Sequence, residues 1–238
     1  MGDVGGQGIG GLNKGKHDMI VEKSKKSKRY DTSGMIEAQF EPGSNNKVLK
    51  NLLKIKSVEK MDQVEALALG DAQDKLIRSY GKDHQFTAKD ICHMHQIWLG
   101  KIYAWAGEYR RVNLAKDDFK FATAAHIPQL MRDFEENFLC KYTPCFLRKN
   151  EIARALAEAH VELVLIHPFR EGNGRVSRLL AILMALQAGL PILDFSDIQG
   201  NRRELYFGAI QQGLARNYKP MEEIFKRIIA KSVLRVKK

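Results

Sequence analysis

His167-Pro168-Phe169-Arg170-Glu171-Gly172-Asn173-Gly174-Arg175-Val176-Ser177-Arg178 decides how the rest of the chain is read. The stretch lies between two strongly apolar helical segments, 151–166 and 176–188. His167 precedes a proline, which disfavours the α region and ends the first helix there. Gly172-Asn173-Gly174 stands directly before the second helix. Glycines let the backbone curl so that successive N–H groups point into one concavity, and a helix leaves its first four donors free. The helix end adds roughly half a positive charge. The result is an anion-binding nest suited to a phosphate chain.

The neighbouring side chains fit that anion. Arg175 and Arg178 are three apart and share a helix face at the nest, where two guanidiniums can grip phosphate oxygens bidentately. A carboxylate at Glu171 would be repelled by phosphates unless a cation lay between them. Mg²⁺ fits, since it binds through one or two carboxylates plus phosphate oxygens and water. His167, with an ordinary pKa near neutrality, can take a proton from a hydroxyl as that oxygen attacks phosphorus. Phe169 is expected to pack inward and hold the loop. The remaining histidines read as structural, and His93 and His95 face different ways on a helix and make a poor metal pair.

Outward from this stretch the apolar spacing is helical. Val48, Leu49, Leu52 and Leu53 suggest a short amphipathic helix, and Val64, Leu67, Ala68, Gln73, Leu76 and Ile77 a longer one. Thr87 is the expected N-cap of a helix to about Tyr103. Pro128 opens a helix to about Tyr142, Asn150 caps the helix through Ile166, and Pro220 opens the last one. Asn201 with Glu204 reads as a capping box for a helix through Leu214. Only residues 112–121 alternate: Val112-Asn113-Leu114, a turn at Ala115–Asp118, then Phe119-Lys120-Phe121, a β-hairpin. The expected fold is all-α with one small hairpin.

The chain has 238 residues, enough for one full core with an extension. No apolar run reaches the roughly 18 residues a membrane span needs. Cys92, Cys140 and Cys145 are odd in number and lack paired metal spacing, which suggests a reduced, cytoplasmic setting. The net charge of +11 gathers in residues 14–29 and at the C-terminal end. No aromatic residues interleave with the first cluster, so a flexible basic arm is expected there rather than a nucleic-acid platform. Gly10 to Lys16 has the glycine and lysine spacing of a phosphate loop, but His17 replaces the required Ser or Thr. The expected organisation is a flexible segment at 1–29, an inhibitory or linking segment at 30–44, a domain at 45–225 and a basic helix end at 226–238.

Residues 167–178 fit H-x-F-x-[DE]-G-N-G-R-x-x-R at every defined position and so resemble the Fic (filamentation induced by cAMP) family. Trp105-Ala106-Gly107-Glu108-Tyr109-Arg110 with the hairpin after it is similar to the Fic flap, and Tyr206 to Pro220 to its closing helices. The resemblance implies a Fic-type helical bundle and transfer of AMP from ATP, with Mg²⁺, to a hydroxyl of a Ser, Thr or Tyr on a target protein. It implies His167 as base, Glu171 as metal ligand, Gly172, Asn173, Gly174 and Arg175 as phosphate cradle, and Arg178 on the terminal phosphate. Phe119, Lys120 and Phe121 would hold the target segment by strand addition. Other Fic reactions, namely transfer of UMP, phosphocholine or phosphate and removal of AMP, are the near alternatives, and a non-catalytic binding module the distant one. Many Fic proteins carry an inhibitory helix, [ST]-x-x-x-E-[GN]. Ser33 to Glu37 fits its first five positions while Ala38 departs at the sixth, so Glu37 is a candidate to pair with Arg178, with restraint by a separate partner, or none, left open. A small antitoxin partner and a bacterial cytoplasmic location also follow from the resemblance.

Overall fold

The computed structural model describes residues 34–116, 119–198 and 202–236. Ser33, the Gly10–Lys16 loop and Asn201 lie outside them. The first helix, α1 (Val58–Ser79), is capped by Ser57, whose hydroxyl accepts from Lys60 N. The next, α2 (Ala88–Leu99), carries the expected cap at Thr87. Thr87 Oγ1 accepts from Asp90 N at 3.2 Å, and Asp90 Oδ2 accepts from Thr87 N at 2.9 Å, which satisfies two otherwise orphaned donors. This helix stops at Leu99 rather than Tyr103, because Gly100 and the turn to Gly107 follow.

The hairpin forms one step further along the chain than its alternation suggests. Strand β1 is Ala115–Lys116 and β2 is Phe119–Lys120, in antiparallel register with Ala115 opposite Lys120 and Lys116 opposite Phe119. Residues 115 and 116, expected in the turn, therefore pair, and Val112–Leu114 lead into the ladder through the Phe121 N–H···O=C Leu114 bond of 3.1 Å.

The helix expected from Pro128 is α3 (Ile127–Phe134), a π-helical turn at Glu135–Leu139, and α4 (Cys140–Tyr142). Glu135, at the change of pitch, sends its carboxylate to Ala88 N at 2.6 Å and so caps α2. Helix α5 (Lys149–Ile166) begins just before Asn150, and Glu151 reaches back to Arg148 N at 3.3 Å. Then come α6 (Asn173–Gln187), α7 (Arg203–Gln212) and α8 (Lys219–Val236).

Helix α5 sits at the centre, with α6 and α8 packed along it. Most of its residues, and most of those of α6, are buried. Gly213 lets the chain after α7 approach α5 closely, since a Cβ there would stand 2.2 Å from Val161 Cγ1. Helix α8 runs unbroken past residue 225, burying Ile228 and Ser232. No described helix is long and apolar enough to cross a membrane.

Residues 45–53 do not form the expected amphipathic helix. Asn45, Asn46 and Lys54 hold left-handed φ angles of 55°, 59° and 54°. The Asn51 side chain accepts from Ile55 N and donates to Ile55 O, both at 2.9 Å, replacing helical bonds with a local side-chain turn. Phe40 and Leu49 pair as an isolated β-bridge, and Leu52 and Leu53 stay exposed.

Candidate active site

The left-handed residue that ends α5 is His167 itself, at φ 54° and ψ 58°. Its ring Nδ1 lies 3.1 Å from Val164 O. A carbonyl only accepts, so Nδ1 carries the proton and Nε2 keeps its lone pair. The Phe121 ring stacks on the imidazole at 3.6 Å between centroids and 22° between planes. Burial, together with the charges of Arg110 and Lys116, pushes the His167 pKa down to about 3, so the ring is neutral at ordinary pH.

Phe169 is completely buried and lies flat against His95, with centroids 4.0 Å apart and planes 6° apart. His95 accepts from Gly107 N at Nδ1, 2.7 Å away, which leaves Nε2–H to donate to Glu171 O at 3.1 Å. Burial lowers the His95 pKa to about 3, fixing the neutral tautomer this relay needs. Nothing in the sequence separates this histidine from an ordinary core histidine, and its part in holding the loop was not anticipated.

The Asn173 side chain has a role of its own. Its amide accepts from Phe169 N and donates to Phe169 O, both at 2.8 Å, so the side chain closes the loop and is not free to meet phosphate. What Asn173 and Gly174 offer an anion is the start of α6, whose first amides have no intrahelical acceptor. Gly172, at φ 82°, is the N-cap, and a Cβ there would stand 2.5 Å from Trp98 Cζ3.

Arg175 is gripped from two sides. Its Nη1 donates to Glu65 Oε2 at 2.7 Å and its Nη2 to Glu171 Oε1 at 3.1 Å, while the guanidinium lies 4.5 Å above the Trp98 ring. Glu65, on α1, also accepts from Tyr103 Oη at 2.8 Å. Burial raises its pKa, which the Arg175 charge counteracts. Arg178 stands one turn further on and hydrogen-bonds Tyr206 of α7.

These groups border one cavity of about 980 Å³. His167, Glu171, Gly172, Gly174, Arg175 and Arg178 line its floor, Lys116, Phe119 and Phe121 of the hairpin one wall, and Phe40, Lys47 and Leu49 another. Lys116 Nζ sits 3.8 Å over the Phe207 ring, tying the hairpin to α7 across the opening. Lys120 is exposed. The lining carries six cations (Lys47, Lys116, Arg170, Arg175, Arg178, Arg203) against the acids Asp62 and Glu171, a balance that attracts a polyanion. Among the described residues no cluster of three or more His, Cys, Asp or Glu could hold a metal. Glu171 alone suits an ion that brings most of its ligands with it, as a phosphate-bound Mg²⁺ does.

Glu37 does not pair with Arg178. It sits on a short 3₁₀ turn, Ile36–Ala38, where its buried carboxylate accepts from Arg111 N at 2.7 Å and its carbonyl from Arg170 Nε at 2.9 Å. Burial raises its pKa, opposed by that hydrogen bond and by the charges of Arg170, Arg111 and Arg110.

Residues 85–185 match the model of the Fic/DOC family. The protein adenylyltransferase VbhT of Bartonella schoenbuchensis is 32% identical over 169 residues, 69% of this chain, which spans only 34% of that longer protein. A probable protein adenylyltransferase Fic of Escherichia coli is 27% identical over 78% of this chain and 89% of its own length. Among solved structures, an N-terminal Fic domain of a putative cell filamentation protein from Bartonella quintana, with bound ADP, is similar with a TM-score of 0.62 and 26% identity, covering 76% of this chain and 89% of that one. The hairpin, the His167 loop and the start of α6 all fall within residues 85–185, and over that span the chain is a Fic/DOC-family domain.

Proposed function

We propose that this protein is a protein adenylyltransferase that moves AMP from Mg²⁺-bound ATP to a hydroxyl of a target protein. The observation that carries the reading is the lone pair on His167 Nε2, held in a cavity shared with the cation-lined start of α6. The target hydroxyl gives its proton to Nε2 as its oxygen bonds the α-phosphorus, and the bond to the leaving pyrophosphate breaks. Bound phosphate charge favours the protonated ring, so it raises the basicity that burial depresses. Arg175 and Arg178 hold phosphate oxygens, and the α6 amides complete the cradle. Mg²⁺, when bound, neutralises charge between Glu171 and the phosphates. The hairpin takes the target segment as an added strand, with Phe119, Lys120 and Phe121 at its edge. The names of the VbhT and E. coli relatives and the ADP of the B. quintana domain support this reading. A bacterial cytoplasmic setting, and restraint by a small antitoxin, accompany it as proposals.

The test is label transfer to lysate proteins with Mg²⁺, comparing ATP labelled at the α- and at the γ-phosphate. Label from α alone, lost in His167→Ala while ATP affinity stays near wild type, is the expected result. The loss should be on the order of two to four powers of ten, the usual share of a general base. Label from γ alone would make the protein a kinase-like member, and equal transfer by the alanine variant would remove His167 from the reaction.

A further inference from the structure

Arg110 links the root of the hairpin to the loop that carries His167. Its side chain is buried and spends each arm on a backbone carbonyl. Nε donates to His167 O at 2.7 Å, Nη1 to Val112 O at 2.6 Å and Nη2 to Ala122 O at 2.5 Å. Its own N–H donates to Pro168 O at 2.8 Å. Val112 stands just before β1 and Ala122 just after β2, so one guanidinium holds both legs of the hairpin and the catalytic residue. A hairpin of two-residue strands is too small to hold its own orientation in water. It needs an anchor, and a planar, rigid fork of donors can fix three carbonyls at once where an ammonium cannot. Arg110 does not itself line the catalytic cavity.

We propose that Arg110 is a positioning residue that joins the hairpin and His167 into one rigid unit, so that a target strand paired to the hairpin meets Nε2 in a fixed register. The inference rests on the adenylyl-transfer reading above. Base and target hydroxyl are carried on different segments of the chain, and their mutual placement sets the rate. The buried cation has its compensation in Glu37, whose carboxylate is a nearby opposing charge.

The variant that tests this is Arg110→Lys, which keeps the charge and loses the fork. The expected result has four parts: an unchanged Kd for ATP, faster trypsin cleavage at Lys116 and Lys120, loss of the single Nδ1–H tautomer of His167 in long-range ¹H–¹⁵N spectra, and a transfer rate lowered by roughly a hundredfold, the scale of a misplacement of about 1 Å. A folded variant with wild-type cleavage and tautomer overturns the proposal, as does a loss of ATP affinity in parallel with the loss of rate. Cleavage and tautomer need no turnover, so they judge Arg110 even if wild-type protein transfers no label and the functional reading falls. Should the lysine variant fail to fold, native-state hydrogen exchange of the wild type decides. The Arg110, Phe121 and His167 amides are expected to open together, and independent opening at Phe121 overturns the proposal.

Discussion

Removing the Glu37 carboxylate leaves the Arg111 amide without its acceptor and the Arg110 guanidinium without its nearby counter-charge, and it leaves Arg170 with Glu171 alone among nearby carboxylates. Glu37→Ala is therefore expected to lower stability by about 1–3 kcal/mol, the cost of orphaning a buried polar partner, measured by urea unfolding. It is expected not to raise label transfer, whereas a carboxylate that blocked the phosphate site would release activity when removed. At this scale the sequence was informative where a residue type permits one main use. His167, Glu171 and Arg178 do line one cavity. It was silent where a side chain acts on backbone atoms that only folding brings near. The Asn173 side chain, for one, clamps the loop at Phe169. Arg110, His95 and Glu65 are separated along the chain from the groups they hold.

The start of α6 meets α2 across Gly172 and Trp98, and that contact positions the nest. Gly172→Ala puts a Cβ 2.5 Å from Trp98 Cζ3 at a residue whose φ is 82°. Overpacking costs about 1–3 kcal/mol, and the left-handed backbone about 1–2 kcal/mol more. Because Trp98 also carries the Arg175 guanidinium, the same change is expected to weaken ATP binding. A thermal melt beside an ATP titration checks both, and an unperturbed melt would mean that Trp98 yields at no cost. The apolar elements α5 and α6 were legible because burial all round leaves an unambiguous composition. Residues 45–53 were not, since four apolar residues at helical spacing carry less weight than asparagines that satisfy the backbone locally. The hairpin was found but misregistered: its alternation runs past the two short strands that pair.

Among the described residues of the whole fold, three buried histidines, His95, His160 and His167, have pKa values lowered from 6.5 to about 3, chiefly by burial. Folded protein keeps them neutral while the unfolded chain protonates them below 6.5, so their contribution is intact above that pH and is lost as pH falls toward 3. Glu37, Glu65 and Glu162 are shifted upward, so they take up protons earlier in the folded state and offset part of that loss. Urea unfolding is expected to give a plateau above pH 7 and a decline below 6.5. His160→Gln should make the decline shallower by up to about 1.4 kcal/mol per pH unit, the share of one proton. A slope unchanged by that substitution would show that His160 does not stay neutral. At this scale the fold class was legible in composition and period. The packing of α8 along α5 through Ile228 and Ser232 was not, because the basic residues that mark that helix end lie on its solvent side.

The left-handed backbone of His167 also shapes how such an enzyme can be silenced over generations. Among ordinary side chains asparagine tolerates that conformation well, and β-branched residues tolerate it poorly. Histidine and asparagine codons differ by a single base, so one point mutation removes the proposed base and leaves the turn intact. The gene is thus one step from encoding a scaffold that keeps the loop and the cation-lined cavity but lacks the proposed base. A β-branched residue at the position would strain the loop as well as remove the proposed base.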